Sequence, residues 1–508
     1  MGATGISRLL IGAIALLAAA LPAMAQVDGG KPVTGSVDVK VTSSGNIVLD
    51  HVYRSRELTT FTDSVSRGGG AAAFGTADAE NTFEGHAAAR LDVEWGNNIA
   101  VVIEVGTKRI DDDPAAGGIL RWGDAQAPDF QLREARILFT EVFPGLQVEV
   151  GLSTWKFDVR GQGSSFAFDP RNSQTFIRNL GSDGTLNVSD DAESRLSEAA
   201  FVNDHEVIGA TFSYTVGGFV VQFVALPAHE ERGSLSQDDS TYALDVWIPM
   251  DSLAPGSRAG LIVAVHNTPT DEFDSVAGGP TATGLGNEHT KVYIVGGGTS
   301  IKVIPSLEVF VEGYFNAGKA GQLDNGTSVK ARGKAFQGGV EWHYLVGNPM
   351  PFWANFTYFY LSGEDSTSAA NDEAGKFASF ENVNDLMILE DRFFGFDWDS
   401  NYTGFKISGG TRFSLVQEND LEVRMIVGIT KTVEKVSSNP ATPADLDKLG
   451  NEFDLRLNWS INKQFVLRLS AAFLFGSEVL EGGMSVNNTN PDTEDSARIV
   501  VFGFDLTF

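Results

Sequence analysis

Apolar residues recur at every second position along most of this chain, and the segments between such runs alternate between short and long. Leu421, Val423, Met425, Val427 and Ile429 alternate with Glu422, Arg424, Gly428 and Thr430. Phe453, Leu455, Leu457 and Trp459 alternate with Glu452, Asp454, Arg456 and Asn458, and Ala89, Leu91, Val93 and Trp95 with Arg90, Asp92 and Glu94. Period two sets one face of a strand against an apolar phase and the other against water, in a soluble sandwich as much as in a membrane barrel. The connections separate the two. We count 18 strand candidates, near 34–58, 84–96, 98–109, 130–142, 146–159, 195–216, 218–229, 240–249, 257–267, 289–302, 306–317, 328–345, 351–362, 401–416, 420–433, 449–461, 464–476 and 496–508. Short links such as Phe143-Pro144-Gly145, Val216-Gly217-Gly218 and Asn462-Lys463 alternate with long ones such as 59–83, 110–129, 160–194, 268–288, 363–400, 434–448 and 477–495. An even strand number with tight turns on one side and long polar loops on the other is the plan of an outer-membrane barrel. Closure satisfies every backbone polar group in lipid and leaves no edge. A sandwich has no reason to sort its loops by parity. The expected fold is all-β, a transmembrane antiparallel β-barrel with short periplasmic turns and long extracellular loops.

The N-terminus reads as an address. Arg8 precedes an apolar run from Leu9 to Leu21, and Ala23-Met24-Ala25 offers small residues for signal peptidase. We expect a signal peptide over 1–25 and a single barrel domain over 26–508, located in the bacterial outer membrane. No later stretch reaches the roughly 18 apolar residues of a transmembrane helix. The absence of cysteine removes disulfides, thiol nucleophiles and cysteine metal sites. With 66 acidic against 37 basic residues the chain lacks the basic footprint that nucleic acid requires.

Two signals support the membrane reading. Trp95, Phe143, Trp342, Tyr344, Phe352, Trp353, Trp459 and Phe465 gather beside the short turns, where amphipathic rings would form an interfacial girdle. The chain ends with Val500, Phe502, Phe504, Leu506 and Phe508 on one face, as in strands read by the outer-membrane assembly machinery. The first strand is ambiguous around Thr42–Asn46. One long strand with a bulge keeps the count even, and we expect that over two strands.

With apolar residues on lipid, the alternating polar residues must face inward, because a charge at the bilayer midplane costs roughly 2–4 kcal/mol. This turns Arg136, Lys406, Arg412, Arg424, Arg456 and Arg468 into the lumen, along with Asp92, Glu104, Glu149, Glu308, Glu312, Glu422 and Asp454. Lys406, Arg412, Arg424, Arg456 and Arg468 come from four successive strands and should be neighbours. They form either a wall of paired, hydrated charges or a track for a carboxylate-bearing solute, which Arg holds bidentately. As water-facing groups, the four arginines should accept Gln within roughly ±0.5 kcal/mol. The loops carry acidic clusters, including Asp111–Asp113, Asp190-Asp191 and Asp492, Glu494 and Asp495, which we expect to be solvated without a metal. The seven histidines are scattered, and neither HExxH nor a GxSxG elbow occurs. We expect no catalytic site and no cofactor.

The run Glu134-Ala-Arg-Ile-Leu-Phe, then Gly145-Leu-Gln-Val-Glu-Val-Gly151, is similar to alginate-export-type porins. So are Tyr360-Leu-Ser-Gly363-Glu-Asp365, Phe377-Ala-Ser-Phe380 and Phe394-Gly-Phe-Asp397. The resemblance implies an 18-stranded channel passing an anionic polysaccharide through an arginine-lined lumen, with Arg136, Arg412, Arg424, Arg456 and Arg468 in that role. The expected function is passive passage of a hydrophilic, anionic solute. The alternatives are a general or cation-preferring porin, or a barrel that only anchors its loops as a surface binding protein.

Overall fold

A computed structural model describes residues 39–55, 73–74, 80–96, 98–107, 130–157, 179–180, 186–187, 202–230, 238–268, 290–322, 328–344, 352–363, 373–375, 377, 386–390, 401–416, 419–434, 436–437, 445–462, 464–478, 484–485 and 496–507. The expected signal peptide, the acidic clusters at 111–113, 190–191 and 492–495, the first part (195–201) of the strand expected at 195–216, and Phe508 lie outside them.

Eighteen strands form the wall: β1 Val39–Arg54, β2 Glu80–Trp95, β3 Ile99–Thr107, β4 Phe130–Phe143, β5 Leu146–Phe157 and β6 Val202–Val216. They continue as β7 Phe219–Glu230, β8 Asp238–Pro249, β9 Arg258–Thr268, β10 Thr290–Ile304, β11 Leu307–Gln322 and β12 Lys334–Tyr344. The last six are β13 Phe352–Leu361, β14 Tyr402–Val416, β15 Asn419–Lys431, β16 Gly450–Asn462, β17 Phe465–Phe475 and β18 Ala497–Thr507. Each pairs antiparallel with its sequence neighbours, and β1 pairs with both β2 and β18, so the sheet closes on itself. The expected strand at 328–345 is split, with Ser328–Ala331 pairing on the end of β11 before β12 begins. The bulge expected in β1 is absent. Its register runs unbroken from Val39 opposite Trp95 to Arg54 opposite Glu80.

Local sequence explains the hairpins. In Phe143-Pro144-Gly145-Leu146, proline presets the first corner and Gly145, at φ +85°, takes the left-handed second corner. Outside, every strand shows at least one large apolar side chain to its surroundings, among them Leu49, Phe212, Phe223, Leu261, Phe356 and Phe502. An apolar belt this continuous cannot face water, and its fit is to lipid. Near the short turns the outer rings pair, Phe143 with Tyr214 at 6.0 Å, Trp342 with Phe352 at 5.8 Å and Phe465 with Phe504 at 5.8 Å. The girdle therefore holds for these rings, with one correction. Trp353 shares the inward parity of Asn355 and Thr357, and its ring lies over Gly410, where a side chain would collide with it.

Candidate functional site

The interior is the candidate site, and it is polar by design of the alternation. Glu422, Arg424, Ile426, Gly428 and Thr430 of β15 are buried inward while Met425 and Ile429 are exposed outward. The same parity turns Glu452, Asp454 and Arg456 of β16 inward. Of the five basic residues expected to be neighbours, only Arg424 and Arg456 stand directly opposite each other; Arg412 stands opposite Glu422, Arg468 opposite Asn458, and Lys406, further along β14, opposite Gly428.

Carboxylates accompany this row. Arg136 Nη1 donates to both oxygens of Glu149 at 3.2 Å, and Arg90 pairs with Asp92 at 2.9 Å and Glu104 at 3.7 Å. Arg412 meets Glu422 at 3.1 Å, Arg456 meets Asp454 at 3.8 Å, and Lys406 meets Glu390 at 2.8 Å. Arg468 Nη2 lies 3.1 Å from both oxygens of Asp50, a contact that passes over Gly503 of the intervening β18. The expectation that the arginines sit in open water needs correction. Arg136, Arg424 and Arg456 are no more than 3% exposed.

Across β8–β13 the inner wall has a different chemistry. Trp247 Nε1 donates to Asp245 at 2.9 Å, Tyr314 hydroxyl to Glu312 at 2.7 Å and Asn355 to Glu341 at 2.9 Å. Ser300 donates to Glu308, and Gln337 to Glu312. All four carboxylates are buried, with hydrogen bonds stabilising them away from bulk water.

Among the described residues, two parts of the chain pack inside the wall. Phe157, at the end of β5, packs its ring 4.7 Å from Trp247 and 6.2 Å from Tyr314, although β8 and β11 lie well around the barrel. Gly260 makes room, since a Cβ there would stand 2.8 Å from Phe157 Cζ. The second is the turn Leu386–Glu390, which corrects the expectation that 363–400 projects outward as a whole. All five residues are at most 2% exposed. Ile388 and Leu389 N–H donate to Glu452 at 2.6 and 2.9 Å, and Met387 N–H donates to Asp454 at 3.0 Å. Glu390 accepts from Lys406 at 2.9 Å and from the Tyr402 hydroxyl at 2.9 Å.

The feet of this loop are clamped. Lys334 N–H donates to Ser362 Oγ at 2.7 Å, and Phe377 N–H to the Ser362 carbonyl at 3.0 Å. Asn401, in the left-handed region at φ +52°, accepts from Val433 and Glu434 N–H at 3.2 and 2.7 Å. Strand periodicity does not reveal the insertion. Its trace in the sequence is the apolar run Leu386-Met387-Ile388-Leu389 inside an otherwise polar loop, matched by inward apolar residues Ile426, Leu474, Ile499 and Val501 that break the alternation of the wall.

No protein-family model and no curated protein matches the chain. Solved structures similar to it include the outer membrane channel DcaP of Acinetobacter baumannii, at TM-score 0.43 and 11% identity over 94% of this chain and 99% of that one. OccK9 of Pseudomonas aeruginosa gives TM-score 0.44 and 10% identity over 92% and 99%, and an anion-selective porin from Comamonas acidovorans gives 0.40 and 11% over 93% and 100%.

Proposed function

We propose that this chain is an outer-membrane channel that passes small hydrophilic solutes by passive diffusion, with its short turns in the periplasm and its long loops outside. The observation that carries the reading is the contrast between the two faces of one closed sheet. The outer face is apolar on every strand, and the inner face holds ordered charge from Arg90 round to Arg468. A barrel serving only as an anchor has no use for so many buried ion pairs, each of which costs desolvation. Purified protein in planar bilayers should give discrete conductance steps. Heat-modifiable, folded protein that inserts and gives no steps would remove the channel reading and favour the anchor.

The finer reading is an anionic solute. Arg412, Arg424, Arg456 and Arg468 on adjacent strands support it, and so does the resemblance to alginate-export-type porins, which rests on short motifs. Cation preference has its own support in the buried Asp245, Glu308, Glu312 and Glu341 across β8–β13. Because the arginines carry carboxylates beside them, we expect only a weak anion preference. The sign of the reversal potential in a salt gradient decides between the two, and block by oligouronates tests the polysaccharide reading.

A further inference from the structure

We propose that the outer wall carries a docking site for the phosphate groups of an anionic membrane lipid, built from Lys291, Lys319, Lys330, Arg332 and Lys334 where β10, β11 and β12 rise toward the long loops. The patch rests on strand register and parity; only its assignment to the outer leaflet rests on the orientation proposed above. Lys291 of β10 stands opposite Lys319 of β11, and Lys330 of the short strand Ser328–Ala331 stands opposite the same Lys319. Three ammonium-bearing residues therefore occupy one cross-strand row. Neighbouring strands lie about 4.8 Å apart, so the row spans about 10 Å, and one phosphate is within reach of all three flexible side chains. Arg332 and Lys334 continue the parity of Lys330, with Lys334 opposite Phe315. Lys291, Lys330, Arg332 and Lys334 are exposed and Lys319 is half-buried.

This parity points away from the lumen. Val292, Ile294, Tyr314 and Asn316, on the alternate positions, are buried, whereas Phe315 and Phe336 are exposed. The patch is thus separate from the arginines inside the barrel. Like charges directly opposite on a sheet repel, and an anion held among them reverses that sign. The chain as a whole carries a net charge of -29, so the patch is a local reversal rather than part of a general basicity.

Height selects a lipid over a free anion. On β10 the outward residues Val303, Ile301, Thr299, Gly297, Val295 and Tyr293 carry no charge, and Lys291 comes next. The ten steps from Val303 to Tyr293, at about 3.3 Å each and tilted by roughly 40°, rise about 25 Å, the height of the apolar band of an outer-membrane barrel. The cations begin where hydrocarbon ends. Lys291 Nζ lies 5.5 Å from the centre of the Tyr293 ring, an amphipathic ring suited to that boundary. Lower on the same face Gly297 stands opposite Gly313, and a Cβ on Gly313 would meet nothing nearer than 3.7 Å. An acyl chain fits against the bare backbone there, beneath its own headgroup. A free phosphate would use only the upper half of this arrangement.

The solubilised full chain, its folding checked by heat-modifiable mobility, is titrated with diphosphoryl lipid A and with the same lipid dephosphorylated, and bound lipid is counted by native mass spectrometry. The phosphorylated lipid should bind at least about tenfold more tightly. The pair Lys291→Gln, Lys330→Gln should weaken it by at least about tenfold, since each cation beside an anionic headgroup contributes a factor of about five. The charge-matched pair Lys431→Gln, Arg498→Gln removes exposed outward cations of β15 and β18 and should change it by less than about twofold, because distant exposed charges are screened. Equal affinity for the two lipids would reduce the binding to the apolar belt and overturn the proposal, and so would equal losses in the two variant pairs. Inorganic phosphate that displaces the lipid at equal concentration would make this a free-phosphate site and overturn the lipid assignment. None of these readouts uses conductance, so their failure leaves the channel reading intact. Ser328→Cys, in a chain without cysteine, should react with an impermeant maleimide on intact cells. Reaction only after permeabilisation would overturn the outer-leaflet assignment together with the orientation, whatever the binding measurements give.

Discussion

The Arg468–Asp50 contact joins the first strand to the penultimate one across β18, so it spans the seam where the barrel closes. The partners are 418 residues apart, and each side chain is 13–14% exposed. A unit-charge pair at about 4 Å and an effective dielectric near 20 gains about 4 kcal/mol before desolvation is subtracted. Hydrogen bonds to charged groups contribute about 1.5–3 kcal/mol net, and partial exposure moves this pair toward the lower end. We therefore expect a coupling of about 1–2 kcal/mol in a double-mutant cycle of Asp50→Asn and Arg468→Gln, within the range found for contacting residues. Urea unfolding in lipid vesicles, read as the heat-modifiable folded fraction, supplies the four stabilities. Gly503→Ala offers a second route, because its Cβ would overlap the Asp50 carboxylate and push it off Arg468. That substitution should cost less in the Asp50→Asn background than in the wild type. Single losses that add to within about 0.3 kcal/mol would show that the contact carries no seam energy.

Three further outcomes are expected. Brominated lipid should quench Trp95, Trp342 and Trp459 in single-tryptophan variants and leave Trp353 bright, since of these four only Trp353 points inward; strong quenching of Trp353 would reverse its parity. Phe502→Lys, on an outward position 53% exposed, should lower stability by roughly 2–4 kcal/mol if it lies near the bilayer midplane, as urea unfolding in vesicles would report, whereas a neutral result would place it outside the lipid belt. Arg412→Gln, at a residue whose 20% exposure exceeds that of Arg424, Arg456 or Arg468, should move the reversal potential toward cations while keeping the barrel folded; an unchanged potential would reduce the arginine row to a structural wall.

Much of the wall was legible before any coordinates. The parity that turns Arg424, Arg456 and Arg468 inward and Met425, Phe453 and Phe473 outward follows from period two alone, because each strand divides lipid from water. The same rule misplaced Trp353, since a ring beside a turn fits a girdle or an interior equally well until its neighbour Gly410 is known. It also failed for Leu386–Glu390 within the 363–400 loop, where length and polarity pointed outward and four apolar residues pointed the other way. Which signal prevails depends on whether the inner wall offers apolar surface and backbone acceptors at that height, and strand periodicity does not encode height.

What the amino-acid sequence determined by itself is therefore the local alternation, the tight turns and the number of strands, all set by neighbours in the chain. The tertiary structure decided what fills the barrel. Closure brings Asp50 to Arg468, the turn at 386–390 to Glu452 and Asp454, and Phe157 to Trp247 and Tyr314. These contacts form through the enclosed space rather than along the chain. They exist only because a closed sheet must fill its interior and satisfy each charge it buries.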